Sequence, residues 1–375
     1  MQESLNHHPF SLSLSKRSLL RMGLASASGL AIPAYALPAR NLSFPRDQGA
    51  HPDFRTEWWY ITGSAKSGNR EFGFQVTFFR SRVDPTQAMQ SQFAAKQLLF
   101  AHAAVTDVQG KKLWHDQYIA RAGFGIAQAS EADTQVKLRQ WTLQRNATDG
   151  NYRAKIPGKD FKLDLQFNPT QPLLVQGNNG LSRKGPDEKQ ASYYYSHPQL
   201  RAAGSITLQG QEFNIADGSG WLDHEWSQEL LHPDAVGWDW IGMNLFDGSA
   251  LTAFQLRKKD GTALWSGGSY RSAAQAANAG AGSKPFIASP GEVQFQALKP
   301  WKSPLTGASY PVEWLVRTPA DYYTVKAVIP NQELDSRSST GAVYWEGLSD
   351  LFDSNSKHVG RGYLEMTGYA GVLRV

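Results

Sequence analysis

Alternation at period two dominates this chain. In residues 71–78, Phe72, Phe74, Val76 and Phe78 fall on one face; Phe161, Leu163, Leu165 and Phe167 repeat the pattern, as do Leu200, Ala202, Gly204, Ile206 and Leu208. Such runs predict half-buried β-strands. The dipeptides Ser67-Gly68, Gln109-Gly110, Asp149-Gly150, Asp247-Gly248 and Asp260-Gly261 supply turns between them. Residues 87–99 are the best candidate for a short helix. Residues 192–198 read as an aromatic strand ending at Pro198, and residues 360–369 as a final strand that closes a sheet. Residues 272–284, rich in Ala, Gly, Ser and Asn, read as a mobile loop. Many short strands with regular turns make the chain all-β, of barrel or sandwich type.

A repeat lies under this pattern. An offset of 180 residues carries Trp58 onto Trp238, Tyr60 onto Trp240 and Ile61 onto Ile241, and, without a gap, Phe74-Gln75-Val76 onto Phe254-Gln255-Leu256. Self-similarity of this kind suggests two related β units. The expected domains are residues 41–216 and 217–375.

The first forty residues are read as something other than fold. Lys16, Arg17 and Arg21 precede a mildly apolar stretch, residues 22–33, which ends in Ala34-Tyr35-Ala36. This is the layout of an export signal over residues 1–36, and Ser15-Lys16-Arg17-Ser18 resembles a twin-arginine signal with Lys in place of the first Arg. The expected location is periplasmic or secreted. Removing this segment takes a net +2 from the formal +5 of the chain and leaves +3. A charge that small, with cations scattered among acids, is no footprint for nucleic acid. No later apolar run is long enough to span a membrane. The chain has 375 residues and no cysteine, which excludes disulfides, thiolate metal sites and a cysteine nucleophile. Its 12 Trp, 14 Tyr and 18 Phe are material for strands and for an apolar pocket.

Chemistry concentrates in three segments. Thr56-Glu57-Trp58-Trp59-Tyr60 sets a carboxylate among aromatics. Two readings are open: Trp58 and Tyr60 face a core while Glu57 binds backbone amides, or the aromatic face lines a ligand cavity. Adjacent tryptophans on a strand point to opposite faces, so at most one serves a given cavity. Gly218-Ser219-Gly220-Trp221-Leu222-Asp223-His224-Glu225-Trp226 and Gly237-Trp238-Asp239-Trp240 form the densest cluster. An extended chain there puts Trp221, Asp223 and Glu225 on one face and Leu222, His224 and Trp226 on the other. A carboxyl held against indole rings is desolvated, so its pKa rises and it can act as a general acid near neutral pH. The competing reading is a buried Asp–His pair that ties a domain junction together. Asp223, His224, Glu225 and His232 are metal-ligand types without a recognised spacing, so no metal is expected. Neither a nucleophile elbow nor a glycine-rich nucleotide loop occurs.

These segments, with His51-Pro52, residues 74–80, Tyr194-Tyr195-Ser196, Tyr344-Trp345-Glu346-Gly347 and residues 362–369, make the chain similar to the carotenoid 1,2-hydratase and AttH-like lipocalin family. The resemblance spans nearly the whole of residues 51–369 in order. It implies two tandem lipocalin-like antiparallel β-barrels. It also implies cofactor-free addition of water to an isoprenoid double bond, with Asp239 as proton donor, His224 orienting it or the water, and Trp226 or Trp238 facing the cation. Glu57, Trp58, Tyr60, Asp223, Trp238 and Trp240 would complete the pocket. The AttH-like branch sits beside exporter components. It implies the alternative of a non-catalytic carrier that hands a lipid or other apolar molecule to an envelope ABC transporter. A third reading is an envelope structural protein with filled barrels.

Overall fold

A computed structural model describes residues 36–229, 231–278 and 284–371. The expected export signal, residues 1–36, lies outside the described residues except for Ala36. Nearly everything described is strand. The first sheet contains β1 (Thr56–Ser67), β2 (Arg70–Arg82), β3 (Gln97–Asp107), β4 (Lys112–Arg121), β5 (Ala127–Ala129), β6 (Gln135–Leu138) and β7 (Trp141–Arg145). It continues with β8 (Tyr152–Pro157), β9 (Phe161–Pro169), β10 (Leu174–Val175), β11 (Leu181–Arg183), β12 (Ala191–Leu208), β13 (Gln211–Ile215) and β14 (Asp217–Ser227). The second sheet contains β15 (Ala235–Leu245), β16 (Ala250–Lys258), β17 (Ala263–Arg271), β18 (Phe286–Ala288) and β19 (Gln294–Lys302). Its remaining strands are β20 (Ser309–Arg317), β21 (Tyr322–Ala327), β22 (Glu333–Asp335), β23 (Val343–Phe352) and β24 (His358–Met366).

The two sheets share one plan. The first runs β4-β3-β2-β1-β14-β12-β9-β8-β7-β6-β5 and the second β18-β17-β16-β15-β24-β23-β21-β20-β19. In each, the opening strand lies between its hairpin partner and the last strand of the same sheet, with antiparallel pairing throughout. Both sheets curl, as a lipocalin-like fold requires. The repeat is therefore real in topology, but its register differs in detail. Phe79, not Val76, pairs with Trp58, whereas Leu256, the residue 180 after Val76, pairs with Trp238. Strand Asp217–Ser227 completes the first sheet between β1 and β12, so the sheets change one strand later than the division drawn at residue 217. Both sheets belong to one compact unit beginning at Ala36.

Three expectations are corrected in the loops and strands. Residues 87–99 are not a helix: a single 3₁₀ turn, Asp84–Thr86, precedes an irregular loop, and β3 begins at Gln97. The β-branched and aromatic side chains of β3 pack in the sheet, and that tertiary gain overrides the helix-forming run before it. Strand β12 does not end at Pro198 but runs through it, with a bulge between His197 and Leu200. Within residues 272–284, Ala273–Ala277 form a short helix closed by a Ser272–Gln275 capping box. Residues 279–283 of that segment lie outside the described residues.

Alternation along each strand divides the interior into layers. Trp59, Ile61, Phe72, Phe74, Leu222 and Trp226 pack inside the first barrel. Ile241, Met243, Trp314, Trp345 and Leu364 pack inside the second. A third layer, with Tyr60, Trp221, Trp240, Phe254, Leu348 and Tyr363, lies between the sheets. Gly73 and Gly242 allow that close approach. A Cβ on Gly73 would sit 2.7 Å from the Tyr363 hydroxyl, and one on Gly242 only 2.3 Å from the Trp240 ring. No helix among the described residues is long and apolar enough to cross a membrane.

Candidate active site

The layer between the sheets is incompletely filled and encloses a cavity of about 480 Å³. Rows of cross-strand neighbours build its walls. On the first sheet, one row runs Tyr194, Glu225, Trp58, Phe79, Phe100 and Ile119, and the next runs Asp223, Tyr60, Thr77 and His102. On the second sheet, Glu346, Glu365, Trp240 and Phe254 form the facing row. Trp238, Leu256 and Tyr344 also line the space. The two walls touch where Tyr60 meets Trp240 edge-on, with ring centroids 5.5 Å apart. His102 bridges the walls by hydrogen bonds to the Tyr344 hydroxyl (2.9 Å) and the Ser339 hydroxyl (2.8 Å).

Five carboxyl groups border this mostly aromatic space: Asp223, Glu225, Glu229, Glu346 and Glu365. Glu225 is compensated by the Lys184 ammonium at 3.0 Å. Asp223 accepts hydrogen bonds from the Ser196 hydroxyl (2.5 Å) and the Trp221 indole N–H (2.8 Å). Burial nevertheless outweighs those donors and pushes its pKa up to about 7. Glu365 is likewise raised to about 7, by burial and then by the charges of Asp223 and Glu225. Glu346 is raised well above the ordinary carboxyl range by burial and by neighbouring Glu365. Among the described residues, neither Glu346 Oε1 nor the Tyr60 hydroxyl finds a hydrogen-bond partner. A buried acid with a free oxygen, set against indole and phenol rings, can give a proton to a ligand in the cavity.

The expected catalytic residues lie elsewhere, and so does Glu57, expected in the pocket wall. His224, Trp226 and Glu57 point into the first barrel, on the opposite face of the strands that carry Asp223, Glu225 and Trp58. There Glu57 Oε1 meets His51 Nδ1 at 2.8 Å and His224 Nε2 at 2.9 Å, while Arg80 Nε donates to Glu57 Oε2 at 2.7 Å. His51 Nε2 lies 3.0 Å from Asp47, and Arg40 holds Asp47 through two hydrogen bonds of 3.0 and 2.9 Å. Trp226 stacks on the His51 ring at 3.8 Å and 6°, so its face is occupied by protein. The donor atoms of His51, Glu57 and His224 lie within 4.8 Å of one another, a grouping of metal-ligand type that spacing along the chain did not reveal. Each is already hydrogen-bonded and Arg80 sets a cation against the carboxylate, so the cluster reads as an ion network.

Asp239 points into the second barrel. Arg257 (2.7 Å), Gln255 (2.8 Å) and the Tyr369 hydroxyl (3.0 Å) all donate to it. Burial raises its pKa and Arg257 opposes the rise. The structure therefore does not bring Asp239 together with His224 and Trp226, and none of the three borders the cavity. It does bring together Trp58, Tyr60, Asp223, Trp238 and Trp240. Sequence reasoning missed Glu346, Glu365, Tyr194 and Tyr344 as site residues. Neither Glu stands out along its own strand, since β23 also carries Ser349 and Asp350 and β24 carries His358 and Arg361.

The family model described as AttH-like matches residues 35–369. A crystal structure of a protein assigned to AttH from Nitrosomonas europaea is 45% identical, covers 89% of this chain and 99% of its own, and superposes with a TM-score of 0.81. Kievitone hydratase from Nectria haematococca shares the fold at 12% identity, over 88% of this chain and 94% of its own, with a TM-score of 0.67. CghA shares it at 12% identity, over 89% and 94%, with a TM-score of 0.54. No curated protein sequence matches the chain.

Proposed function

Starting from the fact that the chain belongs to the AttH-like family, we propose that it is a cofactor-free acid–base enzyme, of hydro-lyase type, acting on an apolar, isoprenoid-like ligand in the cavity between its sheets. The observation that carries this reading is the buried pair Glu346 and Glu365 in an aromatic wall. In the forward step, protonated Glu346 gives its proton to a carbon–carbon double bond, leaving a carboxylate and a carbocation. Trp58, Trp238, Trp240 and Tyr60 supply ring faces to that cation. Water adds to the cation, and the carboxylate takes back the proton that water loses. Glu365, directly opposite Glu346, and Asp223 are the candidates to take that proton from water and pass it on to the Glu346 carboxylate. This is water addition of the carotenoid 1,2-hydratase kind, with the acid on β23 instead of at Asp239. The shared fold of kievitone hydratase is consistent with hydration chemistry in this architecture. An exported location, resting on residues 16–36, belongs to the same proposal.

The test is incorporation of heavy-oxygen water into acyclic isoprenoids and other polyenes. Glu346→Gln should retain ligand affinity and lose turnover by about 10²–10⁴-fold. Equal turnover by wild type and Glu346→Gln would remove the acid from this position. A carrier delivering its ligand to an envelope ABC transporter would use the same mostly apolar walls without the acid step. Tight binding with no turnover across the panel selects that reading.

A further inference from the structure

The rim of the cavity carries an apolar surface that the chemistry above does not use. Phe93 is 63% exposed, Phe124 54%, Met89 50% and Ile126 45%, values unusual for large apolar side chains. They are not scattered. Phe93 and Phe124 stack at 5.6 Å and 14°. Arg121 lies against both rings, its guanidinium 5.5 Å from the Phe93 ring centre and 4.3 Å from that of Phe124, and donates to the Phe93 carbonyl at 2.5 Å. The loop that bears Met89 and Phe93 is fastened at its base: Thr86 Oγ1 donates to the Ala95 carbonyl at 2.9 Å and Gln87 Nε2 to the Lys96 carbonyl at 2.7 Å. The aromatic pair is thus presented on a held loop.

Two further observations say what this surface meets. The first is charge: residues 82–96 and 121–126 carry Arg82, Lys96 and Arg121 against Asp84 alone, and Arg82 already pairs with Asp84 at 3.1 Å. Arg139 adds a fourth cation beside Ile126, whose carbonyl accepts its backbone N–H at 2.6 Å. The second is continuity: Arg121 pairs across β3 and β4 with Leu98, and Ile119 with Phe100. Leu98, Phe100 and Ile119 all line the cavity, and Ile119 is itself 38% exposed. Apolar wall therefore passes into apolar rim.

We propose that this rim docks on a bilayer surface carrying anionic headgroups, with Phe93 and Phe124 entering the interface and Arg121 and its neighbouring cations meeting the headgroups. Aromatic and basic residues combine in this way at membrane interfaces, where area burial and charge add. An apolar ligand then passes between bilayer and cavity without crossing water. Docking does not depend on the acid step.

The experiment is flotation of the full chain with vesicles of phosphatidylcholine alone or mixed with phosphatidylglycerol. Binding is expected to the mixed vesicles and to weaken as salt rises. Phe93→Ser combined with Phe124→Ser should reduce partitioning about tenfold or more, by removing apolar area from the interface, with no change in unfolding temperature. Phe246→Ser, at the far end of β15 and 64% exposed, is the control and should bind as wild type does. Wild type that ignores mixed vesicles, or a double variant that binds them equally, overturns the proposal. So does a double variant that changes only the sedimentation of the protein by itself, which would make the rim a contact between two copies.

Discussion

Glu346 and Glu365 stand directly opposite each other on β23 and β24, both facing the cavity. Two carboxylates side by side in an apolar wall repel, so the pair keeps a proton where an exposed pair would lose both. The charges of Asp223 and Glu225 on the facing wall reinforce this at Glu365.

This arrangement has a measurable effect on stability. Glu365 is raised from the ordinary 4.5 to about 7, so between those values the unfolded chain has already released a proton that the folded chain retains. Stability therefore falls as pH rises through that window and levels above it. Glu365→Gln, of similar volume and neutral, should be more stable than wild type by on the order of 2–3 kcal/mol at pH 8, with the gain fading toward pH 4. Urea unfolding at the two pH values decides it. A gain independent of pH would mean that Glu365 does not titrate there.

The ion network of the first barrel has the opposite sign. Asp47 and Glu57 are both held well below the ordinary carboxylate range. Burial opposes this, but it is outweighed by hydrogen bonds from His51 and Arg40 to Asp47 and from His224 and His51 to Glu57, with the Arg80 charge beside it. Stability from these groups is present above the ordinary carboxyl pKa and is lost as pH falls below it toward the folded values. Glu57→Gln should cost about 3–5 kcal/mol near neutral pH, because it leaves buried Arg80 without its counter-charge. It should also flatten the acid limb of the stability curve. A variant with wild-type acid sensitivity would show that the network contributes little.

Asp239→Asn separates the two carboxyl sites. Its salt bridge to Arg257 is buried inside the second barrel, so the substitution should lower stability by about 2–5 kcal/mol. Ligand binding and any turnover, measured below the unfolding transition, should stay within a few-fold of wild type. A loss of turnover by orders of magnitude with stability intact would return the acid role to Asp239.

Period-two patterning was enough to read the all-β class, because each barrel buries one face of every strand, and the 180-residue offset pointed to two related units. It also assigned Asp223 and His224 to opposite faces correctly. What it could not supply was which face meets the other sheet. Trp58 and Trp59 look alike in sequence, yet one lines the cavity and the other packs in the barrel. Residue density around Trp238-Asp239-Trp240 drew attention to Asp239. The flanking indoles, however, point away from the carboxylate they bracket. Glu346 and Glu365 are separated along the chain and meet only through the β23–β24 register, so no local motif announces them.

Asp223 offers a test that requires no substrate. Its Oδ1 accepts from both the Ser196 hydroxyl and the Trp221 indole, and both donors favour the charged form. Ser196→Ala removes one donor and so weakens the carboxylate relative to the acid. Its titration should move upward from about 7, with proton affinity rising by roughly tenfold for one lost hydrogen bond to a charged group. The Trp221 indole N–H bonded to the same oxygen is a built-in reporter, since its emission responds to the charge of its acceptor. Fluorescence followed against pH in wild type and Ser196→Ala reads the shift directly. Asp223→Asn should abolish the transition, which identifies the titrating group. If the emission of Asp223→Asn still changes near pH 7, the titrating group is Glu365 and not Asp223. A wild-type curve flat across neutral pH would show that Asp223 does not change charge there and would remove it as a candidate base.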